Sequence, residues 1–200
     1  MDFTLSKQHL LLRDMYRAFA ENEVKPLAEE VDEEERFPME TVKKLARYGF
    51  MGIPFPKKYG GAGGDVLAYA MAVEELSKAC ATTGVIVSAH TSLCCAPIYE
   101  NGTEEQREKW LPKIVKGETV LGVCMTEPDH GSDLANIQAS AVDMGDHFLV
   151  NGTKTFISNG MVADLLVVAV RTDPNAAKPH KGISLLLIET KSEGVSRTLI

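Results

Sequence analysis

The character of the sequence changes at Leu121-Gly122-Val123-Cys124-Met125-Thr126-Glu127-Pro128-Asp129-His130-Gly131-Ser132-Asp133. This stretch begins as a short apolar run with strand character, breaks at Glu127-Pro128 and continues as a loop of small and hydrogen-bonding residues. Apolar residues before it recur at helical spacing, whereas those after it fall into short runs separated by turn residues. Short strands that follow a series of helices indicate an α-helical domain and then a β domain.

The sequence therefore predicts an α+β chain of two domains. We expect an all-α helical bundle over residues 1–118 and an all-β barrel or sandwich over residues 119–200, with the boundary near Gly117–Thr119. Asn151-Gly152 predicts a two-residue hairpin turn. The second domain is expected to be unfinished at Ile200, which still lies in strand-like sequence. The predicted strands are Val120–Met125, Ile137–Val142, His147–Val150, Thr153–Ser158, Leu165–Val170 and Ile183–Ile188.

Local signals mark the starts of several helices. The glycine-rich run Gly60–Gly64 does not follow a strand, and the G-x-G-x-x-G register fails at Val66. We therefore interpret this run as a turn that leads into a helix, and not as a dinucleotide-binding loop. The expected N-caps are Thr4 or Ser6, Asp65 and Thr103, the last in a capping box with Gln106.

Composition excludes several classes of protein. The formal charge of −7 over 200 residues argues against a sequence-independent nucleic-acid binder, which needs a basic face. The N-terminus lacks a basic signal-peptide region, and we expect no membrane insertion because the longest apolar run is Leu165–Val170. The cysteines have no metal-site spacing, so reduced buried thiols and a cytoplasmic location are expected, or the mitochondrial matrix if a transit peptide was removed. They are Cys80, Cys94, Cys95 and Cys124.

Two strand ends carry the polar groups of a candidate site. The loop after the first strand offers backbone N–H groups and the hydroxyls of Thr126 and Ser132, and Lys154–Gly160 ends in a hydroxyl, an amide and a glycine. Such donors suit a planar polar ring edge or a phosphate better than a packed core. The sequence therefore predicts two walls of one ligand site.

Other interpretations of the same residues remain open at this point. The carboxylates in the loop could cap turns, or they could bind a metal or perform acid–base hydrolysis. Ser132 lacks the G-x-S-x-G surroundings of a hydrolase nucleophile. His90 could be a ligand or a base, although a core histidine is the simpler interpretation. The loop carboxylates are Glu127, Asp129 and Asp133.

Two motifs identify a family. T-E-P-x-x-G-S-D at residues 126–133 and N-G-x-K-x-[FW]-I-[ST]-N-G at residues 151–160 resemble those of the acyl-CoA dehydrogenases, and the resemblance extends from Phe3 to Ile200. It implies FAD-dependent conversion of an acyl-CoA thioester to the trans-2-enoyl-CoA, with electrons passed to electron-transfer flavoprotein. Ser92-Leu93-Cys94 is most similar to the short-chain, butyryl-type members. The resemblance also implies a homotetramer.

The resemblance assigns roles to individual residues. It implies that Thr126 donates to the N1/O2 region of the flavin, that Ser158 bonds N5, and that Phe156 packs against the ring. Ser132 is expected beside both the FAD pyrophosphate and the acyl-CoA substrate. The implied cofactor-binding residues are Val123, Cys124, Met125, Thr126, Gly131, Ser132, Phe156, Ile157 and Ser158.

The chain departs from the family pattern in places. Asp129-His130 replaces smaller residues, Phe156 stands for the commoner tryptophan, and Ser158 stands for the commoner threonine. No acidic residue matches the family's catalytic glutamate, which is expected beyond Ile200, so no general base is assigned. Two alternatives also fit the sequence: a flavin oxidase or monooxygenase on the same fold, and a non-catalytic helical binding module.

Overall fold

The computed structural model describes residues 3–199 and divides the chain into two compact units, one ending at Thr119 and the other beginning at Val120. Helices occupy the first unit and strands form a sheet in the second. The prediction of a helical region followed by a β domain is therefore confirmed.

The first unit consists of α-helices, two of which continue into π-helical turns. A π-turn widens the helix by one residue per turn and often occurs at functional sites. The α-helices are α1 Lys7–Phe19, α2 Lys25–Glu33, α3 Met39–Arg47, α4 Val66–Ala79, α5 Ala81–Ser88, α6 Ala96–Asn101 and α7 Glu104–Val115. The π-turns are Ala20–Val24 and Ala89–Cys95, and short 3₁₀ turns occur at Phe50–Gly52 and Lys57–Tyr59.

The caps that the sequence predicts are present. Ser6 accepts from the backbone N–H of His9 at the start of α1, and Asp65 accepts from that of Ala68 at the start of α4. Thr103 and Gln106 exchange hydrogen bonds at the start of α7, which confirms the capping box. These ends agree with the sequence because capping depends only on residues within one turn.

The capping box gives a first prediction for stability. Thr103→Ala removes the acceptor for the Gln106 N–H, and we expect a loss of about 1 kcal/mol in the free energy of unfolding. Urea unfolding followed by the fluorescence of Trp110, the single tryptophan and a residue of α7, measures the change. Thr103→Ser keeps the acceptor and serves as the control; an equal loss in both variants would show that the cap is not the cause.

The core helix of the first unit corrects one expectation. The helical run Ala81–Asn101 has 21 residues and contains an 18-residue window with a mean hydropathy of 1.3, so by length and composition alone it is able to cross a membrane. The prediction that no apolar run approaches membrane length is therefore wrong. Within the helical unit 56% of this window is buried, as is usual for the core helix of a globular protein.

The second unit is a five-stranded mixed sheet with β4 at its centre. On one side β4 pairs antiparallel with β5 along its whole length; on the other it pairs parallel with β1 and meets β2 at a single residue pair. Strands β2 and β3 form an antiparallel hairpin. Apolar residues of β4 from Leu165 to Val170 are all buried, as expected of a central strand. The strands are β1 Leu121–Cys124, β2 Ser140–Asp143, β3 Phe148–Asn151, β4 Leu165–Arg171 and β5 Ile183–Glu189.

Two local predictions for this unit are wrong. Thr153–Ser158 is not a strand, because Phe156 has a positive φ of 54° that interrupts a regular ladder. The hairpin turn does not lie at Asn151-Gly152, since Asn151 is the last residue of β3. The β2–β3 turn instead lies at Met144–His147, where the Met144 N–H donates to the His147 carbonyl at 2.9 Å.

Candidate functional site

The two motif segments lie side by side in the second unit. The Thr155 N–H donates to the Thr126 carbonyl at 3.0 Å, and the Asn159 side-chain amide donates to the Leu121 carbonyl at 3.1 Å. The backbone of Ser158 passes Gly122 so closely that a Cβ on this glycine would lie 3.2 Å from the Ser158 carbonyl oxygen. The segment therefore runs antiparallel to β1 and brings the two predicted walls together.

Three hydroxyl groups at this edge make no hydrogen bond within residues 3–199. Ser132 and Ser158 are exposed and Thr126 is half-buried. The backbone of Thr126 lies beside Thr155, and that of Ser158 lies beside Gly122. The two hydroxyl groups therefore belong to different positions along the paired segments.

Phe156 is the most unusual residue of the site. Its ring is 79% exposed and its backbone is left-handed, a conformation that is uncommon for a bulky side chain. Backbone strain of this kind costs about 1–3 kcal/mol and concentrates at ligand and active sites. The exposed ring face is a ready platform for a flat ligand.

The remaining predicted residues contribute in different ways. Cys124 is a core residue that is 4% exposed, and this burial raises the pKa of its thiol to about 11 against the opposing charge of Lys154. Ile157 packs against the apolar core of the sheet, and Val123 is a half-buried residue of β1. The surroundings of Gly131 are open, because a Cβ there would meet no atom within 4 Å.

A buried ion pair that the sequence did not reveal lies directly behind these residues. The ammonium group of Lys154 donates to Glu127 Oε1 at 2.9 Å and to the Met125 carbonyl at 3.0 Å. The side chains of Lys154 and Glu127 are only 8% and 5% exposed. The sequence signal for this pair was a lysine within a strand-like run. A lysine buried there requires a partner for its ammonium group.

Glu127 also organises the loop. Its carboxylate accepts from the backbone N–H groups of Gln138 at 2.7 Å and Ala139 at 2.8 Å. Burial alone would raise the pKa of Glu127, but these bonds and Lys154 outweigh it and hold the pKa below its usual range. Glu127 and His130 exchange backbone hydrogen bonds of 3.0 and 3.2 Å, which closes a four-residue turn.

The structure weakens the hydrolytic and metal interpretations. Asp133 accepts from the Asn136 side chain at 2.7 Å, so its role is local turn chemistry. No group of three or more metal-ligating side chains occurs among the residues that the structure describes. Glu127 is occupied by its ion pair, which leaves Asp129 as an exposed residue of the turn.

His90 is a core residue of the helical unit. Its ring is fully buried and its Nε2 lies 3.1 Å from the Ile114 carbonyl. Burial lowers the pKa of His90 to about 4, although the bond to Ile114 opposes the shift. The ring is therefore neutral near pH 7 and has no carboxylate partner among residues 3–199, as expected for a structural histidine.

A shallow cleft of about 450 Å³ opens beside the turn. Its walls are formed by the turn itself, the start of β2 and the end of β3. Thr126, Phe156 and Ser158 are not among its lining residues. The candidate site is therefore an open edge, and not an enclosed cavity, within the part of the second unit that the structure describes.

The two units of the chain each match a known sequence family. Residues 6–118 match the family "Acyl-CoA dehydrogenase, N-terminal domain", and residues 122–199 match "Acyl-CoA dehydrogenase, middle domain". The chain belongs to the acyl-CoA dehydrogenase family. The resemblance derived from the two motifs is thereby confirmed, and the helical and sheet units of this acyl-CoA dehydrogenase chain correspond to those two domains.

Individual relatives and a solved structure extend this result. The chain is 57% identical over 196 residues to "Acyl-CoA dehydrogenase, short-chain specific" of Clostridium acetobutylicum, covering 98% of this chain and 51% of the relative. It is 41% identical over 192 residues to "Caffeyl-CoA reductase-Etf complex subunit CarC" of Acetobacterium woodii. This match covers 96% of this chain and 50% of the relative.

The solved structure is a glutaryl-CoA dehydrogenase of Mycobacterium smegmatis in complex with FADH2. It matches with a TM-score of 0.88 and 32% identity, over 95% of this chain and 47% of that one. Family members thus bind the flavin. This acyl-CoA dehydrogenase chain spans about half the length of each of these proteins.

Proposed function

We propose that this chain forms the flavin-contacting part of an FAD-dependent acyl-CoA dehydrogenase. The observation that carries the proposal is the exposed, left-handed Phe156 between the unbonded hydroxyls of Thr126 and Ser158. An aromatic face with polar groups at separate positions along one edge fits the isoalloxazine ring, which is flat and has hydrogen-bonding atoms on its pyrimidine and central rings. The residues present therefore fit the cofactor.

Each residue of the edge has a proposed role toward FAD. The flavin supplies a hydride acceptor, which no protein side chain provides readily. Thr126 and the backbone at Val123–Met125 hold the pyrimidine side, Ser158 donates to N5, and Phe156 packs on the ring. We propose that backbone contacts, and not the buried thiol, account for the part played by Cys124.

The phosphate-bearing parts of the ligands are assigned to the loop. Gly131 leaves open space in which a pyrophosphate is able to approach the backbone, and Ser132 presents an exposed hydroxyl to it and to the acyl-CoA. Ile157 anchors its segment to the sheet core. We assign the general base that removes the α-proton to no residue of this chain.

The substrate and partners follow from the relatives. We propose a short-chain acyl-CoA substrate, because the similarity to the short-chain specific relative is high. Electron-transfer flavoprotein is the proposed electron partner, in line with the Etf complex named for the CarC relative. A homotetramer is proposed from the family, and four free thiols among the described residues fit a reducing cytoplasm.

Flavin binding by variants of the full-length protein tests the proposal. We expect Thr126→Val and Ser158→Ala each to raise the dissociation constant of FAD about tenfold, since each removes one hydrogen bond to the ring. Fluorescence titration of the purified apoprotein with FAD measures this change. Ser196→Ala removes an exposed hydroxyl elsewhere in the same unit and is the control, for which no change is expected.

Two further observations separate the alternatives. A wild-type protein that is colourless and takes up no FAD would favour the non-catalytic binding module. With FAD bound, bleaching of the visible flavin absorption by butyryl-CoA supports the dehydrogenase. Slow reoxidation in air but fast reoxidation by electron-transfer flavoprotein distinguishes it from an oxidase or monooxygenase.

A further inference from the structure

The Lys154–Glu127 pair is placed where it acts on the proposed flavin edge through the backbone. The ammonium group of Lys154 lies 3.0 Å from the Met125 carbonyl oxygen. That carbonyl and the Thr126 N–H belong to one peptide unit. The charge of Lys154 is therefore separated from the Thr126 N–H by a single planar group.

A charged donor at the carbonyl oxygen of a peptide unit strengthens the N–H of that unit as a hydrogen-bond donor. Donation from an ammonium group to a carbonyl oxygen polarises the peptide, and its N–H becomes a better donor. The effect is large only where water does not screen the charge, and the Lys154 side chain is 8% exposed. The Met125–Thr126 peptide is thus a stronger dipole than an ordinary loop peptide.

Glu127 limits this effect by its opposite charge. Its Oε1 lies 2.9 Å from the Lys154 ammonium group, and its two oxygens also accept from the N–H groups of Gln138 and Ala139. These bonds tie the carboxylate to the start of β2, so that neither charge is free to move. The pair is a fixed dipole behind the site.

We propose that Lys154 and Glu127 are positioning residues that set the reduction potential of the flavin through the Met125–Thr126 peptide. The inference rests on the proposed function, because it requires FAD at this edge. Two-electron reduction leaves negative charge on the N1/O2 region of the ring, where Thr126 is expected to donate. Lys154 raises the potential by stabilising that charge, and Glu127 lowers it.

Opposite shifts in the two variants test the inference. In full-length, FAD-loaded protein, Lys154→Met is expected to weaken binding of reduced FAD about tenfold more than binding of oxidised FAD, which lowers the potential by about 30 mV. Glu127→Gln removes the opposing charge and is expected to raise the potential. Reductive titration with a reference dye measures both, and Lys154→Arg should keep the wild-type value.

A control variant separates this effect from structural damage. Arg17→Met breaks another ion pair, in the helical unit, where the half-exposed Arg17 binds buried Glu75 through two hydrogen bonds of 3.1 Å. It is expected to leave the potential unchanged. Shifts of the same sign in Lys154→Met and Glu127→Gln, or no shift in either, would overturn the inference.

The outcomes also distinguish the inference from the proposed function. A wild-type protein that takes up no FAD overturns both. A wild-type protein that binds FAD but whose potential is insensitive to both charges overturns only the inference. If Lys154→Met does not fold, the other two variants test the inference. A raised reduction potential in Glu127→Gln and an unchanged potential in Lys154→Arg would support it.

Discussion

Glu127→Ala is expected to destabilise the second unit by about 3–5 kcal/mol. The substitution leaves the buried ammonium group of Lys154 without its carboxylate and removes the acceptor for two backbone N–H groups, those of Gln138 and Ala139. An uncompensated buried charge is far more costly than the loss of a surface pair. The sheet should then open locally much more often than in the wild type.

Cys124 provides the measurement. It is the one cysteine of the second unit in residues 3–199, and it is 4% exposed. Its labelling by a thiol reagent, followed by peptide mass spectrometry, reports local opening, and we expect labelling at least about a hundredfold faster in Glu127→Ala. Asp129→Ala changes an exposed carboxylate of the same turn and should alter the rate little. Equal rates in the wild type and Glu127→Ala would contradict the prediction.

The ionisation of Glu127 determines how the stability of the second unit is expected to depend on pH. The pKa of Glu127 lies below its usual value in the folded protein, because its hydrogen bonds and ion pair outweigh burial. A group of this kind stabilises the fold fully above its unfolded pKa of about 4.3, and the contribution is lost as the pH falls through the folded pKa. The free energy of unfolding of the second unit should therefore decrease as the pH is lowered below about 4. The decrease should be smaller in Glu127→Ala.

Gly61→Ala is expected to destabilise the helical unit by about 3 kcal/mol. A Cβ at this position would lie 2.2 Å from the Phe55 carbonyl oxygen and 2.9 Å from the Gly52 carbonyl oxygen. Both are backbone atoms, and both carbonyls accept hydrogen bonds from Ala62 or Gly63, so neither moves without loss of a bond. Urea unfolding followed by Trp110 fluorescence measures the change.

Gly131→Ala is the matched control for Gly61→Ala in protein without flavin. A Cβ at Gly131 would meet no atom within 4 Å, and its backbone is not left-handed. We expect a change within about 0.5 kcal/mol, measured by Cys124 labelling. A loss at Gly131 as large as that at Gly61 would show that close packing of the backbone is not the cause.

The sequence predicted those features that depend on neighbouring residues. The caps at Ser6 and Asp65 and the capping box at Thr103 were predicted because their partners lie within one helical turn. The change from helices to strands was also predicted, since it follows from the spacing of apolar residues. The two motif segments could be recognised together for the same reason, because each is contiguous.

Features that depend on distant residues could not be predicted in this way. Thr153–Ser158 has the residue types of a strand, but its backbone turns at Phe156, which adopts a left-handed conformation. The ion pair of Lys154 with Glu127 joins residues 27 positions apart and exists only because the two segments pair. The parallel pairing of β1 with β4 likewise leaves no local signal.

That parallel pairing has a consequence for the order of events on the ribosome. The N–H of Val120 bonds to the side chain of Asp164, 44 positions later, and β1 acquires its neighbour only when β4 has been synthesised. Long-range pairing of this kind slows folding because loop-closure entropy is lost before contacts form. The helices emerge first and are able to fold at once, whereas β1 has no parallel partner until β4 has been synthesised.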